Sequence, residues 1–174
     1  MGNIVVLVKA ALNPEMVRPG PGGGVDVDSI PLKLSDIDRN AVEEAARLKK
    51  ELGWKVYAVS VLTWGPMESR IREARMAVQE ALAKGADEAI IVADEGLLPG
   101  DPVTTSTAII AALRKTGVKP DLILAGEATI DETTSQVPGR VAAKLGYSYV
   151  SFARRIEVRD GYLEIGRASC RERV

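Results

Sequence analysis

The chain of 174 residues contains no histidine. That absence removes Ser-His-Asp and Cys-His nucleophile pairs and any imidazole general base. A single cysteine, Cys170, leaves no intrachain disulfide and no Cys/His zinc site. Charge of one sign is not in excess: 23 Lys+Arg stand against 24 Asp+Glu, a formal net charge of −1, so a basic footprint for nucleic acid is not expected. Long apolar runs are missing too. Ile4 to Val8 is apolar, but five residues cannot cross a bilayer and no basic stretch precedes them, so neither a transmembrane segment nor a secretory signal is expected. Met1-Gly2-Asn3 opens like a myristoylation signal, yet Val6 stands where that signal needs Ser or Thr. A cytoplasmic protein is the expectation. What is present, 46% hydrophobic and 27% charged residues, suits one soluble domain with a real core. A carboxylate- or hydroxyl-based enzyme, a cofactor binder or a subunit of something larger fits these limits.

The last ten residues break in character. Residues 165–174 read IGRASCRERV, which one choice of codons spells ATC-GGA-AGA-GCG-TCG-TGT-AGG-GAA-AGA-GTG. That string resembles read-through into a common sequencing adapter, so 165–174 is set aside as an artefact tail and 1–164 is taken as the domain. Without the tail 20 basic and 23 acidic residues remain, and the natural chain is expected to run further.

Apolar runs alternate with helical periodicity along the rest. Ile4–Val8 reads as a strand buried on both faces. Residues 10–34 read as a long loop broken by Pro19-Gly20-Pro21 and Gly22-Gly23-Gly24, with a small hairpin over Val25–Leu34. Asp36 or Asp38 is expected to cap a helix reaching Leu52, stopped by Gly53, with Ile37, Ala41, Ala45, Leu48 and Leu52 facing inward. Lys55–Leu62 is the second strand. A helix opens at Gly65-Pro66, buries Met67, Ile71, Ala74, Val78, Ala81 and Leu82, and ends at Gly85. Glu88–Val92 is the third strand. Asp101 caps, and Pro102 starts, a helix ending at Gly117. Leu122–Ala125 is the fourth strand, Ser135–Leu145 a helix stopped by Gly146, and Tyr149–Ala153 a fifth strand. Ile156–Leu163 reads as a hairpin turning at Asp160-Gly161. Strand and helix alternating in this way predict an α/β fold with a doubly wound parallel sheet. Ligands of such sheets sit beyond the carboxyl ends of the strands, so the loops after Val8, Leu62, Val92 and Ala125 are the ones to search.

The loop after the fourth strand is the richest. A glycine, Gly126, leaves the strand, then Thr133, Thr134 and Ser135 approach a helix start, with Gln136 next. Hydroxyls together with the free N–H groups of a helix N-terminus suit a phosphate or pyrophosphate; capping of the helix alone is the plainer use of the same residues. The loop after the second strand holds Thr63, Trp64 and Gly65, with Trp64 either stacking on a planar ring or covering core. Asp101, Thr104, Thr105 and Ser106 make another polar helix start. Lys9 ends the first strand at the mouth of the expected cleft, where it would favour an anion or snorkel to solvent. Neither G-x-x-x-x-G-K-[ST] nor a G-x-G-x-x-G after the first strand occurs.

With these loops in view, residues 3 to about 163 resemble the beta (small) subunit of electron-transfer flavoproteins. Val8-Lys9 is similar to that family's N-terminal V-K segment, and Asp38 to Lys49 to its N-P-x-D-x-x-A-x-E-x-A-x-x-L-K helix. Ala83 to Ala89 resembles its A-x-G-A-D-x-A turn, and Gly126 to Gln136 its signature loop G-K-Q-x-x-D-x-D-[ST]-x-Q. Glu127 and Ala128 stand where Lys-Gln is usual, Thr133 where an acid is, and Ser35-Asp36 where Asn-Pro is. The resemblance implies a Rossmann-like, adenine-nucleotide α-hydrolase-like three-layer sandwich. It implies FAD as cofactor, or alternatively AMP; Gly100 to Ser106 is similar to the G-x-D-T-x-A-T-S stretch of members that hold a second flavin and bifurcate electrons. It also implies an alpha subunit as heterodimer partner, with dehydrogenases and a quinone oxidoreductase or ferredoxin as redox partners. Loops and resemblance together give Lys9, Ala10, Asp38, Asn40, Leu62, Thr63, Gly65, Asp101, Thr104, Thr105, Gly126, Ala128, Ile130, Asp131, Thr133, Thr134, Ser135 and Gln136 as candidate cofactor-binding residues, with no catalytic residue and no metal ligand.

Three functions are compatible with this reading. An electron-carrier subunit would bind a nucleotide and leave the chemistry to the flavin. A stand-alone adenine-nucleotide-binding domain of universal-stress type would sense AMP or ATP without electron transfer. A nucleotide-activating enzyme would use Lys9 and Asp131 on an acyl-adenylate.

Overall fold

The computed structural model describes residues 2–20 and 22–167. In chain order the elements are β1 (Asn3–Leu7), β2 (Ala10–Leu12), β3 (Leu32–Leu34), α1 (Asp36–Leu52), β4 (Lys55–Leu62), α2 (Met67–Ala83), β5 (Glu88–Ala93), α3 (Pro102–Thr116), β6 (Leu122–Ala125), α4 (Val137–Leu145), β7 (Ala153–Arg159) and β8 (Tyr162–Arg167), with single 3-10 turns at Pro14–Met16 and Val27–Ser29. Four strands form the parallel central sheet in the order β5-β4-β1-β6. Successive side chains of β1 point to opposite faces. Ile4 and Val6 enter a core with α1 and α2, while Val5 and Leu7 enter a second core with α3 and α4. Both faces are therefore covered, which is why β1 and β4 read as continuous apolar runs, and the three-layer α/β fold expected from sequence is the one observed. From β1 the chain winds outward through β4 to β5, then returns to place β6 on the other side of β1. The order reverses between β1 and β6, the switch point where such sheets bind ligands.

Helix ends follow the residues that mark them. Gly53, Gly117 and Gly146 take left-handed φ values of 66°, 72° and 71° and stop α1, α3 and α4. Asp101 caps α3 by accepting the Val103 N–H at 2.9 Å. At α1 the expectation fails: Ser35 holds the N-cap position, Asp36 faces Lys33 and Arg39, and Asp38 turns inward to 4% exposure. The buried stripe of α1 runs through Val42, Ala45 and Leu48, leaving Ile37, Ala41 and Leu52 half-buried. In α2 the stripe includes a cation. Arg70, 2% exposed, donates to Ile30 O at 2.6 Å and Val27 O at 2.7 Å, so the loop ahead of β3 is bolted onto α2. Leu82, expected inside, is exposed.

Other differences have local causes. No hairpin forms within 25–34; Ala10–Leu12 pairs antiparallel with Leu32–Leu34 across the whole loop. Tyr149–Ala153 is not a fifth sheet strand. Phe152 adopts φ 55°, a left-handed turn that breaks the extended run, and the Tyr147 hydroxyl donates to Pro120 O at 2.5 Å. Thr133 and Ser135 have φ 48° and 53°, so α4 begins at Val137 rather than Ser135. The hairpin β7–β8 turns at Asp160-Gly161 as expected, with φ 46° and 83°, and is longer than its apolar pattern suggests. Of the ten C-terminal residues, Ile165, Gly166 and Arg167 continue β8; the other seven lie outside the described residues. Among the described residues no helix is long and apolar enough to cross a membrane.

Candidate functional site

A pocket opens at the carboxyl ends of β1, β4 and β6, on the α3/α4 face. Its empty space, counted together with the open solvent at its mouth, measures about 690 Å³. Leu7, Val59, Val61, Ile109 and Val137 form an apolar floor, and the 125–138 segment curls over it.

Asp38 stands at the back, where β1 and β6 part. Its Oδ2 accepts the Lys9 N–H at 2.8 Å, and the Gly126 N–H also hydrogen-bonds to the carboxylate. Burial pushes this carboxyl from an ordinary 3.8 up to about 7, against the downward pull of those two N–H groups and of the Lys9 charge.

Asp131 organises the mouth. Lys9 Nζ donates to its Oδ1 at 3.0 Å, and its Oδ2 accepts the Leu12 N–H at 3.2 Å and the Trp64 Nε1–H at 2.8 Å. Burial opposes ionisation of Asp131, but the Lys9 ammonium and the hydrogen bonds from Thr129 and Trp64 outweigh it and hold the carboxyl below its usual range. Lys9 Nζ also meets Glu132 Oε2 at 2.8 Å and lies 5.7 Å from the Trp64 ring centre. Trp64 thus serves the loop network.

The loop from Gly126 to Gln136 is bent by the left-handed Thr133 and Ser135, and Ser135 Oγ donates to Glu127 Oε1 at 2.7 Å. The Thr133 N–H donates to Thr129 O at 3.2 Å, while the first-turn N–H groups of a helix such as α4 have no intrahelical partner, an arrangement suited to an anion. Thr63, 4% exposed, lines the pocket with a buried hydroxyl that has no hydrogen-bond partner.

Of the residues expected at the site, Lys9, Asp38, Thr63, Thr105, Gly126, Ala128, Thr134, Ser135 and Gln136 line this pocket. Asp131 stands directly behind it, bonded to Lys9. The others do not line it. Ala10 and Leu62 point into the α1/α2 core, because the pocket uses the opposite face of the sheet. Asn40 is exposed on α1; Asp101 and Thr104 bond to each other at the α3 cap; Gly65, Ile130 and Thr133 lie outside the lining. Sequence reasoning passed over Thr129, Glu132 and the floor residues Val59 and Val61. Period-two alternation in Lys55–Leu62 marks Val59 and Val61 as sharing a face, but it does not say which face holds the pocket.

Fold and site define a three-layer α/β domain with a pocket at its switch point. The family model for the electron transfer flavoprotein domain matches residues 24–169, and the chain belongs to that family. The electron transfer flavoprotein subunit beta of Clostridium acetobutylicum is 35% identical over 167 residues, 95% of this chain and 61% of that protein. The caffeyl-CoA reductase-Etf complex subunit CarD of Acetobacterium woodii is 32% identical over 158 residues, 90% of this chain and 57% of that one. The chain therefore spans about three fifths of the length of such curated relatives. Among solved structures it superposes on the universal stress protein from Archaeoglobus fulgidus with a TM-score of 0.48 and 19% identity, over 83% of this chain and 87% of that one.

Proposed function

We propose that this chain is the nucleotide-binding part of an electron-transfer flavoprotein beta subunit, holding FAD, or alternatively AMP, in the switch-point pocket. The observation that carries the reading is the pocket of a family member at the β1/β6 divide, apolar below and polar above, with the unpartnered Thr63 hydroxyl in its wall. The donor set fits such a group. Leu7, Val59, Val61 and Ile109 offer a flat aliphatic bed for an aromatic ring and keep water from it. Thr63, Thr134 and the segment ahead of α4 share the same lining, and their hydroxyl and N–H groups are the donors this reading assigns to phosphoryl oxygens. FAD when bound would supply electron transfer; AMP would brace the fold. The chain's own work is to hold, orient and shield.

The subunit names of relatives support work within a complex; a cytoplasmic heterodimer with an alpha subunit, passing electrons between dehydrogenases and a quinone oxidoreductase or ferredoxin, is part of this proposal. The likeness of Gly100–Ser106 to flavin-holding members favours FAD here, and with it bifurcation. Family membership weighs against a stand-alone stress-type domain. An acyl-adenylate enzyme is disfavoured because Lys9 and Asp131 are spent on each other.

Acid release of nucleotides from the full-length gene product, co-expressed with its alpha partner, tests the reading. Two FAD per heterodimer would make this subunit a redox centre, and one FAD with one AMP a structural half. Absence of any nucleotide beyond the alpha subunit's own would overturn the proposal.

A further inference from the structure

Which nucleotides the pocket admits follows from where its polar groups already point. The cation on its lining, Lys9, has its ammonium between Asp131 Oδ1 at 3.0 Å and Glu132 Oε2 at 2.8 Å. Ser135 Oγ donates to Glu127 Oε1 at 2.7 Å, and Thr105 Oγ1 to the Asp101 carbonyl at 2.9 Å. Groups that a phosphate chain would call on are engaged with protein acceptors. Glu127 and Glu132 meanwhile add two carboxylates to the lining. The Thr63 hydroxyl is different: 4% exposed, without a partner, in the pocket wall. The neutral Thr63 and Thr134 hydroxyls and a few backbone N–H groups suit a single phosphate ester or a pyrophosphate link. They do not offset the extra charge of a triphosphate.

We propose that this pocket discriminates against nucleoside triphosphates, with Glu127 and Glu132 as the specificity-determining residues. The proposal rests on the adenine-nucleotide reading above. Going from AMP to ATP adds about two negative charges within a Debye length of two carboxylates, which amounts to a loss of about tenfold in affinity at low salt and less at physiological salt.

The test is equilibrium binding of AMP, ADP, ATP and FAD to the full-length gene product, stripped of endogenous nucleotide and free of divalent cations. Dissociation constants are expected to rise from AMP through ADP to ATP, with ATP about tenfold weaker than AMP at low salt. Added salt should shrink that gap, and Glu127→Gln with Glu132→Gln should close it to within about threefold. Glutamine at 127 keeps an acceptor oxygen for Ser135, and at 132 its single oxygen keeps one of the two contacts, to Gly100 N–H or to Lys9. The ratio of ATP to AMP is read within one preparation, so a general weakening cancels. ATP binding as tightly as AMP overturns the discrimination alone, and an unchanged gap in the double variant overturns its assignment to the two carboxylates. A protein that binds none of the four ligands overturns the nucleotide reading and this proposal with it.

Discussion

The Asp38 carboxylate occupies the space that a side chain at residue 126 would need. A Cβ on Gly126 would fall well inside the van der Waals distance of Asp38 Oδ1. Oδ2 of the same group takes the Lys9 N–H at 2.8 Å, so one buried carboxylate joins the ends of β1 and β6 where the sheet reverses its order. Gly126 is required here for room, not for a left-handed backbone.

Gly126→Ala should accordingly push Asp38 out of its seat. The expected cost is about 1–3 kcal/mol of stability, with a lower urea midpoint and weakened nucleotide binding. Gly24→Ala, where an added Cβ meets nothing within 4 Å, is the comparison and should stay within about 0.5 kcal/mol of the parent. Equal midpoints for the two variants would mean that the β1/β6 junction relaxes freely.

The raised Asp38 carboxyl gives stability a pH slope. Its value of about 7 in the fold lies above the ordinary 3.8, because burial disfavours the charge. Between those values the folded chain holds a proton that the unfolded chain has lost. The contribution is therefore full below about pH 4 and is lost as pH rises through about 7. Asp38→Asn removes the titration. Urea midpoints of the parent should fall relative to those of the variant between about pH 4 and 7, at up to about 1.4 kcal/mol per pH unit. Parallel profiles would show that the group is ionised throughout.

Thr63 separates binding from folding. Its buried hydroxyl lacks an acceptor or donor, a state that costs about 1–3 kcal/mol. Thr63→Val keeps the shape and removes the cost, so the nucleotide-free protein should hold its stability or gain up to about 1 kcal/mol. Affinity for the nucleotide should fall about fivefold, the worth of one neutral hydrogen bond. Thermal melts with and without nucleotide read both effects; a variant that melts lower without nucleotide would assign the hydroxyl a structural role instead.

Much of this fold is legible because its elements are bounded by chemistry. Lys55–Leu62 and Leu122–Ala125 begin and end where expected, since apolar residues fill both faces and polar or glycine residues flank them. Gly53, Gly117 and Gly146 stop their helices for the same local reason. Arg70 was not legible: nothing in the α2 pattern announces that two carbonyls 40 and 43 residues earlier will surround a guanidinium. The pairing of Ala10–Leu12 with Leu32–Leu34 is equally tertiary. At the site, Lys9, Thr63 and the hydroxyl loop could be read as polar residues at strand ends. That Ala10, Leu62 and Asn40 stand off the pocket lining is not legible, because facing depends on which side of the sheet the pocket opens.

Asp131 takes donors from Lys9, Leu12 and Trp64, and its neighbour Glu132 takes the Gly100 N–H at 2.7 Å. Loops on α/β sheets are commonly interchangeable parts, tolerant of insertion and exchange. These are not. The segments after β1, after β4 and ahead of α3 all close on two adjacent side chains of a fourth, so a graft of any one from a relative must bring its matching donor or strand a buried carboxylate. The mouth of the pocket is a single inherited unit assembled from distant stretches of chain, and it can be exchanged only whole.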